Sequence, residues 1–121
     1  MGIDVVTSGL LEFDGGGQAT FTCSTRAEPD QRVHIVGSTG RIEIEIPFNI
    51  PPDMETRLFL TAGGEPPVAP HTDTISFEPA DHYSIQAELF ATAIIEDGEY
   101  PVGADDAVAN MAVIDAILGS G

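Results

Sequence analysis

The chain has no lysine and only four arginines against 20 acidic residues, so its formal net charge is −16 over 121 residues. Without a basic patch to neutralise phosphates, nucleic-acid binding is excluded. The same shortage of positive charge excludes binding to an anionic membrane surface. A lysine-free acidic surface suits a high-salt cytoplasm, where salt screens the self-repulsion. The alternative is an acidic proteome with a compositional bias against lysine.

Cysteine and long apolar runs are also scarce. The single cysteine, Cys23, allows no internal disulfide, and its alternation with Phe21 predicts a buried packing role. No apolar run approaches the ~20 residues that a membrane span needs, and no signal peptide is recognisable. Hydrophobic residues make up 42% of the chain, which is enough to build a core. We therefore expect a cytoplasmic protein with a single domain over residues 1–121.

Six segments of the chain have the composition and alternation of β-strands. They cover residues 5–13, 18–24, 32–36, 41–46, 56–61 and 74–77. Most of the connections are short, which favours antiparallel neighbours. The segment 62–73 is rich in proline and glycine and is expected to be exposed.

Two helices are predicted after the strands. Asp81 opens the first helix, Asp97-Gly98 ends it, and the second helix follows Gly103. Each helix carries an apolar stripe at helical spacing. Strands first and helices last predict an α+β fold, with an open, mostly antiparallel sheet and two C-terminal helices packed on one face.

Two helices on one side of a sheet leave the other face uncovered. This second face is predicted to carry polar side chains, namely Thr20, Thr22, His34, Arg41, Glu43 and Glu45. Such a face can stay hydrated, or it can form a self-complementary interface between two copies. The pattern alone favours neither.

No constellation of catalytic or metal-binding residues stands out. Asp30 and His34 have the spacing of a carboxylate–histidine pair on a helix, but here they straddle a turn and a strand. The glycine-containing turn 37–40 leads into a strand and not into a helix, so it is not a phosphate loop. The three histidines and Cys23 lack metal-ligand spacing, and we predict no metal site.

A small-molecule pocket is the remaining candidate site. By position, its lining would come from the loop after the fourth strand and from the start of the first helix: Phe48, Asn49, His82 and Tyr83. The alternative for these residues is a purely surface location.

Five segments in a fixed order carry a resemblance that covers nearly the whole chain. They are residues 10–13 with the following glycine turn, 19–24, 31–44, 83–94 and 106–117. Together they resemble the C-terminal domain of the Gfo/Idh/MocA family of NAD(P)-dependent oxidoreductases. The resemblance implies the substrate-side and oligomerisation half of a two-domain enzyme that acts on a sugar, a polyol or a similar hydroxy or keto compound.

The resemblance also implies what this half lacks. The family binds NAD or NADP in a Rossmann half that is missing here, and its Glu-Lys-Pro lysine has no counterpart in a lysine-free chain. We therefore expect a piece of a longer protein, with no catalytic or cofactor-binding residues of its own. The family's sheet face commonly packs against a partner subunit, which favours a homo-oligomer through the open face.

Two other functions remain open at this stage. One is a stand-alone module for binding a small ligand or another protein, without redox chemistry. The other is a small hydrolase or isomerase that uses His82 or Asp30.

Overall fold

The structure is a computed structural model that describes residues 5–64 and 71–119. The chain divides into two compact units. The first contains Met1–Asp30 and Val102–Gly121, and the second contains Gln31–Pro101. The prediction of a single domain over residues 1–121 stays a prediction.

The first unit contains a β-hairpin and the last helix. Strand β1 (Val6–Glu12) pairs antiparallel with β2 (Gln18–Ser24). The turn between them uses Gly15 and Gly16 at φ 97° and 86°, a region that glycine enters without steric cost. Helix α2 (Ala104–Gly119) belongs to the same unit.

The second unit contains a four-stranded antiparallel sheet in the order β3-β4-β5-β6. Its strands are β3 (Val33–Gly37), β4 (Gly40–Ile44), β5 (Thr56–Ala62) and β6 (Thr72–Phe77). A two-residue turn joins β3 to β4, as Gly37 pairs directly with Gly40. The predicted exposed loop lies partly in residues 65–70, outside the described residues, while Ala62 and Thr72 at its ends already belong to strands.

Helix α1 (His82–Ile95) begins and ends where the sequence predicts. The Asp81 side chain caps it by accepting from the backbone N–H groups of Tyr83 and Ser84 at 3.1 and 3.3 Å. After the helix, Asp97 adopts φ 50°, and the Gly98 N–H donates to the Ala93 carbonyl at 2.9 Å. This left-handed turn satisfies a terminal carbonyl.

The α+β class and the antiparallel pairing are confirmed, but the six strands form two sheets where one was predicted. The chain leaves β2 at Ser24, whose Oγ accepts from the N–H groups of Arg26 and Ala27 at 3.1 and 3.2 Å. That local turn ends the strand and competes with further pairing. Eight residues then separate β2 from β3, so no tight hairpin joins the two sheets.

Burial is shallow throughout the described residues. Thr61, at 4% exposure, is the one side chain among them classed as buried, and none of the apolar side chains is. Neither helix contains a buried residue, so the packing of both helices against a sheet face stays a prediction. Cys23, predicted to be buried, is exposed, because the hairpin face that it shares with Phe21 is only partly covered.

Candidate functional site: the polar face of the four-stranded sheet

The strand register places polar side chains on one face of the four-stranded sheet. His34 lies opposite Glu43, Arg41 opposite Thr61, and Thr61 opposite Thr72. Because side chains alternate along a strand, these residues share one face. We call it the polar sheet face; its members are His34, Val36, Arg41, Glu43, Arg57, Phe59, Thr61, Thr72, Thr74 and Ser76, with Arg32 and Glu45 at strand ends.

Two ion pairs cross this face. Arg32 Nη1 donates to Glu43 Oε1 at 2.6 Å. Arg57 donates two hydrogen bonds to Glu45, from Nη2 to Oε1 at 2.7 Å and from Nε to Oε2 at 2.9 Å. This fork geometry is the strong, orientation-fixing form of an arginine–carboxylate pair. The hydrogen bond from Arg57 lowers the pKa of the Glu45 carboxyl and in turn raises the pKa of the Arg57 guanidinium.

A shallow concavity of about 400 Å³ lies between these pairs. It is lined by Arg32, Arg41, Glu43, Glu45, Phe59, Thr61 and Thr72. At its floor the Thr61 and Thr72 hydroxyls share a hydrogen bond of 2.8 Å. The Arg57 guanidinium sits 5.8 Å from the centre of the Phe59 ring, within the range of a cation–π contact. The concavity therefore presents guanidinium, carboxylate, hydroxyl and aromatic groups side by side.

Four of the six predicted interface residues lie on or beside the polar sheet face. His34, Arg41 and Glu43 lie on the polar sheet face, and Glu45 continues it beyond the end of β4. Thr20 and Thr22 belong to the two-stranded sheet, where Thr22 Oγ1 hydrogen-bonds Ser8 Oγ at 2.8 Å. The structure thus divides the predicted set between two sheets, and the interface itself stays a prediction.

Sequence reasoning missed eight members of the polar sheet face: Arg32, Val36, Arg57, Phe59, Thr61, Thr72, Thr74 and Ser76. Alternation within 56–61 could have paired Arg57, Phe59 and Thr61 on one face. It could not have matched that face to the one with Glu43, because the match depends on the register between β4 and β5.

The four predicted pocket residues form two local pairs. The His82 and Tyr83 rings lie in contact at the start of α1, with centroids 4.1 Å apart and planes tilted by 38°. The buried His82 Nδ1 has no hydrogen-bond partner among the described residues. Phe48 is 62% exposed, and its backbone N–H donates to Gln31 Oε1 at 3.0 Å. Asn49 has φ 45°. No hydrogen bond or ring contact within residues 5–64 and 71–119 joins one pair to the other.

Within the described residues, the two helix N-termini do not fit the pyrophosphate of a nicotinamide dinucleotide. Such a cofactor places its pyrophosphate on a glycine-rich loop at a helix N-terminus. Here the carboxylate of Asp81 occupies the start of α1, and Asp105 and Asp106 lie in the first turn of α2. These carboxylates would repel phosphate. The described residues also hold no group of three or more histidine, cysteine, aspartate or glutamate side chains that could bind a metal ion.

Within the described parts of the chain, neither helix combines the length and the apolar character needed to cross a bilayer.

Comparison with known proteins finds two relatives that match nearly the whole chain. An uncharacterized oxidoreductase, ORF334, of Rhizobium meliloti is 37% identical over 116 residues, which are 96% of this chain and 34% of that protein. A D-xylose 1-dehydrogenase (NADP(+)) of Haloferax volcanii is 33% identical over 120 residues, 98% of this chain and 35% of that protein. No family model and no solved structure matches.

The chain thus spans about a third of the length of both relatives. Along nearly its whole length, it is homologous to part of proteins that are named as oxidoreductases, one of them a sugar dehydrogenase.

Proposed function

We propose that this chain is the C-terminal, substrate-side part of an NAD(P)-dependent oxidoreductase of the Gfo/Idh/MocA type that acts in the cytoplasm on a sugar, a polyol or a similar hydroxy or keto compound. The observation that carries the proposal is the homology to two oxidoreductases over 96% and 98% of the chain. The α+β architecture with C-terminal helices accords with the resemblance. The many half-exposed apolar side chains of α1 and α2 are surface that a larger protein would cover.

The chain itself supplies no hydride-transfer machinery under this proposal. It has no lysine to relay a proton, and carboxylates stand at both of its helix N-termini. Cofactor binding and proton transfer would therefore come from the other two-thirds of the protein. We favour NADP over NAD as the cofactor, because one relative is named for NADP(+).

Calorimetry separates this proposal from a self-sufficient redox domain. The isolated chain, titrated with NADPH or NADH, is expected to give no binding heat, because the negative helix starts repel the pyrophosphate. Binding in the micromolar range would contradict the proposal.

The substrate wall is the second part of the proposal. We assign it to Phe48, Asn49, His82 and Tyr83, two pairs that each place an aromatic or imidazole ring beside polar groups. In the full-length enzyme, Phe48→Ala and His82→Ala should raise the KM for the sugar. Phe13→Ala and His71→Ala are matched controls, because Phe13 is 58% exposed and His71 is an exposed histidine at the edge of β6. Unchanged KM in both test variants would remove these residues from the pocket.

Subunit joining is the third part. We propose a homo-oligomer that forms through the polar sheet face, and we propose Thr20 and Thr22 of the hairpin as separate interface residues. Val36, 78% exposed on this face, offers a test. Val36→Arg inserts a long charged side chain into the interface and should shift the protein towards monomer in sedimentation velocity. A wild-type chain that stays monomeric at high concentration would refute the interface.

A further inference from the structure

Positive charge is concentrated on one face of an otherwise acidic chain. Arg32, Arg41 and Arg57 on the polar sheet face oppose Glu43, Glu45 and Glu55, whose Oε1 accepts from Ser76 Oγ of this face at 3.0 Å, so its formal charge is 3 − 3 = 0. With the whole chain at −16, the remainder carries all of the net negative charge. Two copies that approach through other surfaces would bring like charges together, whereas this face offers cations.

One guanidinium and one carboxylate oxygen on this face have no hydrogen-bond partner among the described residues. Each of Arg32 and Arg57 binds a glutamate, but Arg41 has no ion pair among the described residues. Both oxygens of Glu45 accept from Arg57. Glu43, in contrast, accepts from Arg32 through Oε1 only, so its Oε2 is free within the part of the chain that the structure describes.

The free guanidinium and the free carboxylate oxygen lie two residues apart on β4 and point to the same side of the sheet. In a two-fold symmetric contact, residue i of one copy meets residue j of the other, and j meets i. We infer that Arg41 of one copy pairs with Glu43 Oε2 of a second copy, and that the symmetric contact forms the same pair again. This inference rests on the proposed function, since it names the contact that selects the partner at the proposed interface.

The polar sheet face is small, so the charge pairs would determine how the two copies are oriented. The face is about 19 Å wide, because its four strands lie about 4.8 Å apart, and about 20 Å long, because each strand has about six residues that rise about 3.3 Å each. Its projected area is therefore roughly 400 Å² per copy. A stable complex buries about 800 Å² of surface per partner. Val36 and Phe59 supply most of the apolar surface on the face, so area alone gives weak and poorly oriented association. Complementary charges then fix the register.

Charge reversal tests the inference in the 121-residue chain. Sedimentation equilibrium at about 0.15 M salt, where the Debye length is about 8 Å, gives the dimer Kd. Arg41→Glu turns two attractive contacts into two repulsive ones and should raise Kd about tenfold or more. Arg26→Glu is the matched control, because it makes the same change in net charge at the one arginine outside the face, and it should leave Kd nearly unchanged.

A mixture identifies the partner of Arg41. Glu43→Arg alone should also weaken dimerisation, but an equimolar mixture of Arg41→Glu and Glu43→Arg chains restores both pairs and should recover a heterodimer with a Kd near that of the wild type. Circular dichroism checks that Glu43→Arg, which removes the partner of Arg32, leaves the fold intact.

The outcomes separate the inference from the interface that it refines. If the wild type dimerises and Val36→Arg disrupts it, but Arg41→Glu has no more effect than Arg26→Glu, the Arg41 contact is wrong and the interface stands. If Arg41→Glu weakens the dimer and the mixture fails to recover it, Glu43 is not the partner. A monomeric wild type overturns both proposals.

Discussion

Replacing Gly40 with alanine should destabilise the sheet that carries the polar face. A Cβ built on Gly40 would lie 2.6 Å from the Thr61 carbonyl oxygen, 3.4 Å from the Gly63 nitrogen and 3.5 Å from the Ala62 Cα. All three are backbone atoms of the neighbouring strand or its end, so no flexible side chain can move aside. The φ of Gly40 is not positive, and the lack of space is the whole obstacle.

The expected cost of Gly40→Ala follows from this overpacking. An added methyl group that forces backbone to shift costs about 1–3 kcal/mol of folding free energy. At about 4 °C per kcal/mol for a chain of this size, the midpoint of thermal unfolding should fall by about 4–12 °C.

Gly37 is the matched control, because it pairs with Gly40 across the same turn. The nearest atom to its added Cβ is 3.7 Å away, an ordinary contact. Gly37→Ala should therefore be neutral or stabilising by up to about 1 kcal/mol, through the lower entropy of the unfolded chain. Thermal unfolding followed by circular dichroism measures both variants. Equal midpoints for the two would refute the pairing of β4 with β5, and with it the composition of the polar sheet face.

Three further predictions concern charge and hydrogen bonding. The Arg57 hydrogen bond lowers the pKa of Glu45 below its ordinary value of 4.5. The pair should therefore stabilise the fold fully above pH 4.5, and this stabilisation should be lost as the pH falls through the lowered pKa. When stability is measured against pH, Glu45→Gln should lose less unfolding free energy on acidification than the wild type. Raising salt from about 0.1 M to about 1 M shortens the Debye length from about 10 Å to about 3 Å and screens the −16 charge, so the melting midpoint should rise; a fall would show that specific ion pairs outweigh the general repulsion. Thr61→Val removes a partly buried hydrogen bond to Thr72 and should cost about 1 kcal/mol of unfolding free energy. Thr74→Val on the same face should stay within about 0.5 kcal/mol of wild type in urea unfolding.

Local patterns in the sequence predict the elements of this fold well. The alternation in residues 18–24 predicts both ends of β2 correctly. Asp81 marks the start of α1, because its side chain can reach two N–H groups of the first turn. These features depend on neighbours within a few positions. They are therefore readable without knowledge of the tertiary structure.

Contacts between residues far apart in the sequence were harder to predict. The sequence predicted one sheet, but the turn at Ser24 separates the hairpin from the other four strands. Which arginine pairs with which glutamate was likewise not predictable. Arg57 reaches Glu45 only through the register between β4 and β5, and the eleven-residue connection 45–55 between these strands leaves that register unspecified. The contact of Arg32 with Glu43 depends in the same way on the β3–β4 turn.

Burial was the property that local patterns overstated. The apolar stripe of α1 predicted buried side chains, yet Ile85, Leu89 and Ile94 are 47%, 45% and 65% exposed. A stripe records which face of a helix is apolar, and it does not record what covers that face. In the proposed oxidoreductase, further polypeptide would be available to do so.

The most direct test of the central proposal is a nicotinamide reduction assay on the full-length protein that contains this chain. With NADP or NAD and a panel of aldoses that includes D-xylose, we expect sugar-dependent formation of NADPH or NADH by the full-length protein and none by the 121-residue chain. Turnover by the isolated chain, or the absence of any nicotinamide-dependent turnover of sugars, polyols and related hydroxy compounds by the full-length protein, would contradict it.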